Sequence, residues 1–147
     1  SSAASDVYKR QPLEIALDIR DITLEVQMQP DLQHRGDISW MTEAVSNILK
    51  NCMEHTPSGG HIRIVTKDNP LYLLIKITDS GSGFTKQDLP HIFERFYRGQ
   101  NADTDSVGIG LALAKRIIIA QNGTIRAYNH KKDGGAVFEI RMYKGAV

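Results

Sequence analysis

Glu43, Asn47, Asn51 and His55 recur every four residues in the stretch Trp40 to Thr56, WMTEAVSNILKNCMEHT. On an α-helix this spacing lays a carboxylate, two amides and an imidazole along one stripe. Met41, Val45, Ile48, Leu49 and Cys52 form the adjoining apolar face, so the stripe borders the core, where water is scarce and an unpaired polar atom is costly. Amides so placed either bond loop backbones or meet a polar ligand. A second candidate lies in LYLLIKITD, where Leu73, Ile75, Ile77 and Asp79 share one side of an extended strand. A carboxylate ending an interior-facing row either caps the following turn or awaits the N–H groups of a ligand. Ser-Gly-Ser-Gly follows directly, and Gly81 and Gly83 let another group approach the backbone closely. A third candidate, Gly108-Ile109-Gly110-Leu111, opens an apolar helical run. Unpaired N–H groups and a partial positive charge at such a helix start hold phosphates. Neither the Walker pattern nor the dinucleotide GxGxxG is present, so the common phosphate-loop folds are not supported.

Several elements must position these groups. SSAASDVYKRQ, residues 1–11, is polar and aperiodic and is expected to be a disordered leader; residues 12–147 form one domain. LEIALDIRDI completes a helix with Pro12 in its first turn, and TLEVQMQ alternates as a strand with Leu24, Val26 and Met28 on one face. Asp37 or Ser39 can cap the polar-striped helix, and Pro57 with Ser-Gly-Gly ends it. HIRIVTK and LYLLIKITD read as a hairpin over residues 61–79. TKQDLPHIFERFYRG carries a short helix, with Phe93 and Phe96 as packing residues, and residues 98 to about 107 form a mobile polar loop. GIGLALAKRIIIAQNG is a helix ending at Asn122-Gly123, and TIRAYNH with AVFEIRMY closes the chain as a hairpin. About five strands and three helices in mixed order predict an α+β two-layer sandwich. A mixed, largely antiparallel sheet would carry its helices on one face.

At 147 residues the chain is long enough for a single core. A net charge of +1 gives no electrostatic footprint for nucleic acid. The lone Cys52 excludes an intramolecular disulfide, and the five histidines lack zinc-ligand spacing. No apolar run approaches the ~18 residues of a membrane span, so this portion is expected to be soluble, without direct membrane contact.

Taken in order, Asn47 and Asn51, Asp79-Ser-Gly-Ser-Gly83, Phe93-Glu-Arg-Phe-Tyr-Arg98 and Gly108-Ile-Gly-Leu111 resemble the N, G1, F and G2 boxes of sensor histidine kinases. The resemblance implies the Bergerat ATP-binding fold, with ATP and Mg²⁺ as cofactors. It makes Asn51 the Mg²⁺ ligand, Asn47 an amide facing the phosphates, and Asp79 the acceptor of the adenine exocyclic N–H. A neutral amide oxygen suits a hard cation whose other ligands are waters and phosphate oxygens. Gly81, Gly83, Gly108 and Gly110 become lid hinges, and Arg98 a catalytic arginine that neutralises phosphate charge. Tyr97, Val107, Ile109 and Leu111 complete the nucleotide-binding set, and His55 lies beside the adenine.

There are departures from the family pattern. Glu54 stands where a lysine or arginine is frequent, His55 where a tyrosine is usual, and Val107 where a glycine often precedes the second box. Lys115 or Arg95 is a candidate to compensate for the missing cation. Hydrolytic members of the wider fold place a glutamate one turn before the metal-binding asparagine; here that position is Asn47, which cannot accept a proton. The resemblance therefore implies a kinase, whose acceptor histidine lies on a separate dimerisation hairpin and whose downstream partner is a response regulator. None of His34, His55, His61, His91 or His130 has the acceptor's sequence context, so this chain alone is not expected to phosphorylate itself. The domain would be cytoplasmic, within a parent anchored in the plasma membrane. Two alternatives stand beside it: an ATPase using Glu43 as base with Asn47 on the metal, and a degenerate, non-catalytic interaction domain.

Overall fold

The computed structural model describes residues 11–28, 38–97 and 109–145. In chain order these form α1 (Gln11–Ile19), β1 (Thr23–Gln27), α2 (Ile38–His55), β2 (His61–Asp68), β3 (Tyr72–Asp79), a 3₁₀ turn at Leu89–His91, α3 (Gly110–Ala120), β4 (Gly123–Asn129) and β5 (Ala136–Tyr143). The strands make one sheet in the order β1-β2-β3-β5-β4. Only β1 and β2 run parallel; the other neighbours are antiparallel.

The strand alternation read from the sequence places Ile62 and Ile64 of β2, Leu73, Ile75 and Ile77 of β3, and Phe138, Ile140 and Met142 of β5 in the core. Over that sheet face lie Val45, Ile48, Leu49 and Cys52 of α2 and Ala114, Ile117 and Ile118 of α3, with Leu13 and Leu17 of α1 beside them. Each large aliphatic side chain buried here contributes about 1.5–3 kcal/mol, which makes this two-layer core the main stabilising term. The expected α+β sandwich of five strands and three helices is the architecture found. No helix among the described residues is long and apolar enough to cross a membrane.

Element ends differ in instructive ways. Gln11, the last residue of the expected leader, already belongs to α1, while residues 1–10 lie outside the described part. α2 begins at Ile38, two residues before Trp40. Its C-terminal turn is held from α1's side, where Arg20 donates from Nη1 to the Met53 carbonyl at 2.6 Å, meeting one of the acceptors a helix end leaves free. α3 stops where Asn122 takes φ 62° and its N–H bonds the Ile119 carbonyl at 3.1 Å, as the Asn-Gly pair predicts.

The short helix expected after the first glycine pair is found as a three-residue 3₁₀ helix, Leu89–His91. Residues 85–97 hold only the 3₁₀ turn, with Pro90 in its first positions, and Phe96 has φ 63°. A left-handed residue cannot continue a right-handed helix. Phe96 is therefore not a packing residue but is 66% exposed, whereas Phe93 packs edge-on against Phe138 with centroids 6.4 Å apart.

Candidate functional site

The stripe on α2 sits where its spacing predicts: Met41, Val45, Ile48, Leu49 and Cys52 are buried, and Asn47, Asn51 and His55 are half-buried at the border. Asn47 Nδ2 and Asn51 Oδ1 are buried atoms with no hydrogen-bond partner among the described residues. A buried donor or acceptor left unpaired costs about 1–3 kcal/mol, so both atoms are suited to a partner that arrives from outside. Among the described residues, the alternative that these amides bond loop backbones fails for those two atoms.

Asp79 ends the interior row of β3 and is 7% exposed. Of the two roles open to it, turn cap or ligand acceptor, Oδ1 fills the first. Oδ1 accepts the Gly81 N–H at 2.9 Å and the Ala136 N–H at 3.2 Å. Oδ2 is buried and unpartnered among the described residues. Burial raises the carboxyl above its ordinary 3.8, while the Gly81 and Ala136 N–H groups, the Cys52 thiol and His55 pull it back. Burial, and then the adjacent Asp79 charge, pushes the Cys52 thiol well upward, which leaves a packing thiol rather than a nucleophile.

Glycine is required at Gly81 and Gly83 by crowding. A Cβ on Gly81 would collide with the His55 carbonyl that ends α2, and one on Gly83, at φ +79°, would collide with the Gly134 carbonyl. Asp79 and Gly81 thus meet α2 at Cys52 and His55, its last turn. At the other side Gly110 opens α3, and a Cβ there would meet Asn47 first, at 3.8 Å. The two glycine motifs therefore bracket the span from Asn47 to His55.

His55 meets Phe84 edge-to-face at 5.6 Å, and Phe84 in turn meets Phe138 at 6.0 Å. His55, Phe84, Glu54, Thr85 and Asp88 help to line an open hollow of about 150 Å³. Tyr97 joins its rim indirectly, donating from its hydroxyl to Asp88 Oδ1 at 2.6 Å and packing on His91 at 5.2 Å. That bond to Asp88 raises the Tyr97 phenol. Leu111 is buried in the core, so its side chain packs inward, and Ile109 is exposed. Lys115 lies over the Phe93 ring at 5.2 Å and Arg95 over Phe96 at 5.5 Å. Arg98, Val107 and Gly108 lie outside the described residues.

Sequence reasoning missed Asn129. Its side chain accepts the Phe84 N–H at 2.9 Å and donates to the Phe84 carbonyl at 2.7 Å. Nothing local to a strand-terminal asparagine signals a partner 45 residues away in the chain.

Comparison with known proteins agrees with this geometry. The family model of histidine kinase-, DNA gyrase B- and HSP90-like ATPases matches residues 36–145. The sensor histidine kinase YvrG of Bacillus subtilis strain 168 is 30% identical over 139 residues, which cover 93% of this chain and 23% of that one. The sensor-like histidine kinase SenX3 of Mycobacterium tuberculosis H37Rv is 30% identical over 132 residues, covering 88% and 32% respectively. The chain thus spans about a quarter to a third of the length of these relatives. The solved mycobacterial sensor histidine kinase MprB superposes with a TM-score of 0.82 at 29% identity, covering 95% of both chains. The catalytic domain of the histidine kinase ThkA, in a nucleotide-free form, shares the fold with a TM-score of 0.81 at 23% identity, covering 97% of this chain and 92% of that one. With the family model matching residues 36–145 and a relative 30% identical over 93% of this chain, the chain belongs to the histidine kinase-, DNA gyrase B- and HSP90-like ATPase family.

Proposed function

We propose that the chain is the Mg-ATP-binding catalytic domain of a sensor histidine kinase, passing the γ-phosphoryl group of ATP to a histidine on a separate dimerisation hairpin. The observation that carries this is three of the buried side-chain atoms that lack a hydrogen-bond partner among the described residues: Asn47 Nδ2, Asn51 Oδ1 and Asp79 Oδ2, one donor and two acceptors. They fit the ligand atom for atom. Asp79 Oδ2 takes the adenine exocyclic N–H, Asn51 Oδ1 a Mg²⁺ position, and Asn47 Nδ2 a phosphate oxygen. His55 and Phe84 wall the base, with Tyr97 bracing that rim through Asp88. Gly81 and Gly83 serve as lid hinges at the base end; Gly108 and Gly110, with Val107, Ile109 and Leu111, are assigned to the phosphates, and Arg98 to a neutralising charge. When bound, Mg-ATP supplies the transferable phosphoryl group and the cation that offsets its charge.

Asn47 cannot take a proton from water, so the chain positions the phosphoryl group without activating a hydrolytic nucleophile. The ATPase alternative would move the metal to Asn47 and the base to Glu43. The bracketing of Asn47 to His55 by the two glycine motifs favours Asn51 instead. The parent would be a plasma-membrane sensor with this domain on the cytoplasmic side, acting on a response regulator. Label transfer from [γ-³²P]ATP tests the assignment. The chain alone is expected to gain no stable label, and adding the acceptor hairpin of the parent should produce phosphohistidine. Rapid phosphate release without any transfer would instead establish the ATPase.

A further inference from the structure

We propose that Asn129 is the positioning residue for base recognition: it fastens the segment after Asp79 to the closing hairpin, so that the free oxygen of Asp79 points in one direction. The inference rests on the nucleotide-binding reading above. Residues 82–85 have no regular secondary structure of their own, so their conformation must be imposed by contacts. The Asn129 amide supplies two at once, to the N–H and the carbonyl of the same residue, Phe84. Bonds to the N–H and the carbonyl of one residue hold the two peptide planes that flank it, so both its position and its backbone rotation are fixed. The second attachment lies at the segment's other end, where the Ala136 N–H donates to Asp79 Oδ1.

Asn129 and Ala136 are partners in the β4–β5 register, so one rung of the hairpin grips both ends of the recognition segment. Glycine makes the approach possible. A Cβ on Gly135 would collide with the Asp79 carbonyl, and one on Gly83 would lie 2.6 Å from Asn129 Oδ1. The hairpin is itself braced further along, where Glu139 of β5 accepts from Arg126 at 2.7 Å and from the Tyr128 hydroxyl at 2.6 Å, both on β4. Through Phe84 the clamp also sets the ring that meets His55. Asn129 thus acts on the base end, and the asparagines of α2 act on the phosphate end.

The test compares wild type with Asn129→Asp for binding of ATP and of ITP, which differ at the base edge that Asp79 reads, with Mg²⁺ at pH 5.5 to 8. The substituted carboxylate still accepts the Phe84 N–H but opposes the Phe84 carbonyl. ATP should bind about tenfold more weakly at pH 8. The preference for ATP over ITP should fall by a similar factor. Relative to wild type at each pH, the loss should shrink toward pH 5.5, as the new carboxyl gains a proton it can donate. Amide exchange at Phe84 should be slow in wild type and faster in the variant. Equal losses for ATP and ITP with no recovery at low pH would mark a merely structural role and overturn the proposal. A Phe84 amide unprotected in wild type would overturn it too. If Asn129→Asp does not fold, Asn129→Ser, which reaches only one of the two groups, must show the same loss of base preference. Wild type failing to bind ATP would remove the nucleotide reading and this inference with it; wild type binding normally beside an unaltered variant would remove the inference alone.

Discussion

The two ends of the site are built in opposite ways. At the base end nearly every polar group is already satisfied by the chain: Asp79 Oδ1 accepts two N–H groups, and Phe84 is held at both its N–H and its carbonyl. Glycines Gly81 and Gly83 are pressed against the end of α2 and the closing hairpin. One atom, Asp79 Oδ2, is left over. At the phosphate end, by contrast, Asn47 and Asn51 each leave a buried atom unpaired, and Gly110 has only ordinary van der Waals neighbours. If the Asp79 end takes the base, as proposed, it is pre-organised and little ordering is required on binding. On the same proposal the α2 end keeps its polar groups for a ligand that brings its own charge and cation. Selectivity should therefore depend on Asp79 and its supports, and Mg²⁺ dependence on α2.

The largest effect is expected from Asp79→Asn. With the free oxygen replaced by an N–H donor facing the adenine amino group, ATP affinity should fall about a hundredfold or more. The melting temperature should stay within about 5 °C of wild type. Calorimetry and thermal denaturation on one sample check both. Next is Asn51→Ala, which should weaken binding about tenfold in Mg²⁺ and hardly at all in EDTA. A loss equal in both conditions would place Asn51 outside the cation site.

Acidification should separate the two ends again. The Asp79 carboxyl is raised above 3.8 in the folded chain, first by burial. A raised folded value means this group's contribution to stability is fully present below 3.8 and lost as pH rises through the folded value. The ligand-free chain thus loses stability from Asp79 on going to neutral pH, whereas ATP binding, which needs an unprotonated acceptor, is gained over the same window. Affinity measured from pH 7 down to 4 should decline more steeply in wild type than in Asp79→Asn, which keeps only the decline caused by protonation of the ATP phosphates. The smallest effect belongs to Glu43→Gln. It should leave ATP affinity and phosphate release within about twofold of wild type, and a loss of phosphate release would revive the ATPase register.

Local periodicity made most of the fold readable. The four-residue stripe of α2 and the two-residue alternation of β2, β3 and β5 each put the expected side chains in the core, because burial acts on every repeat. Asp79 was identifiable for the same reason: the alternation that buries Ile77 also buries the carboxylate two residues on. Residues 85–97 were less readable. Their composition suits a helix, but Pro90 and the left-handed Phe96 break it into turns, and the φ of a phenylalanine is imposed by tertiary context. Long-range polar contacts were not visible at all. The bond from Arg20 to the Met53 carbonyl and the grip of Asn129 on Phe84 join residues 33 and 45 apart, and neither side chain differs locally from an ordinary solvated one.

The central claim is that three unpaired atoms at the edge of α2 and β3 are completed by Mg-ATP. It is tested most directly by titrating the chain with a non-hydrolysable ATP analogue in a calorimeter, with and without Mg²⁺. A heat of binding that is strengthened by Mg²⁺ in wild type, loses that enhancement in Asn51→Ala, and disappears in Asp79→Asn is the predicted result. No heat in wild type, or heat that both substitutions leave unchanged, would contradict it and point to the non-catalytic interaction domain.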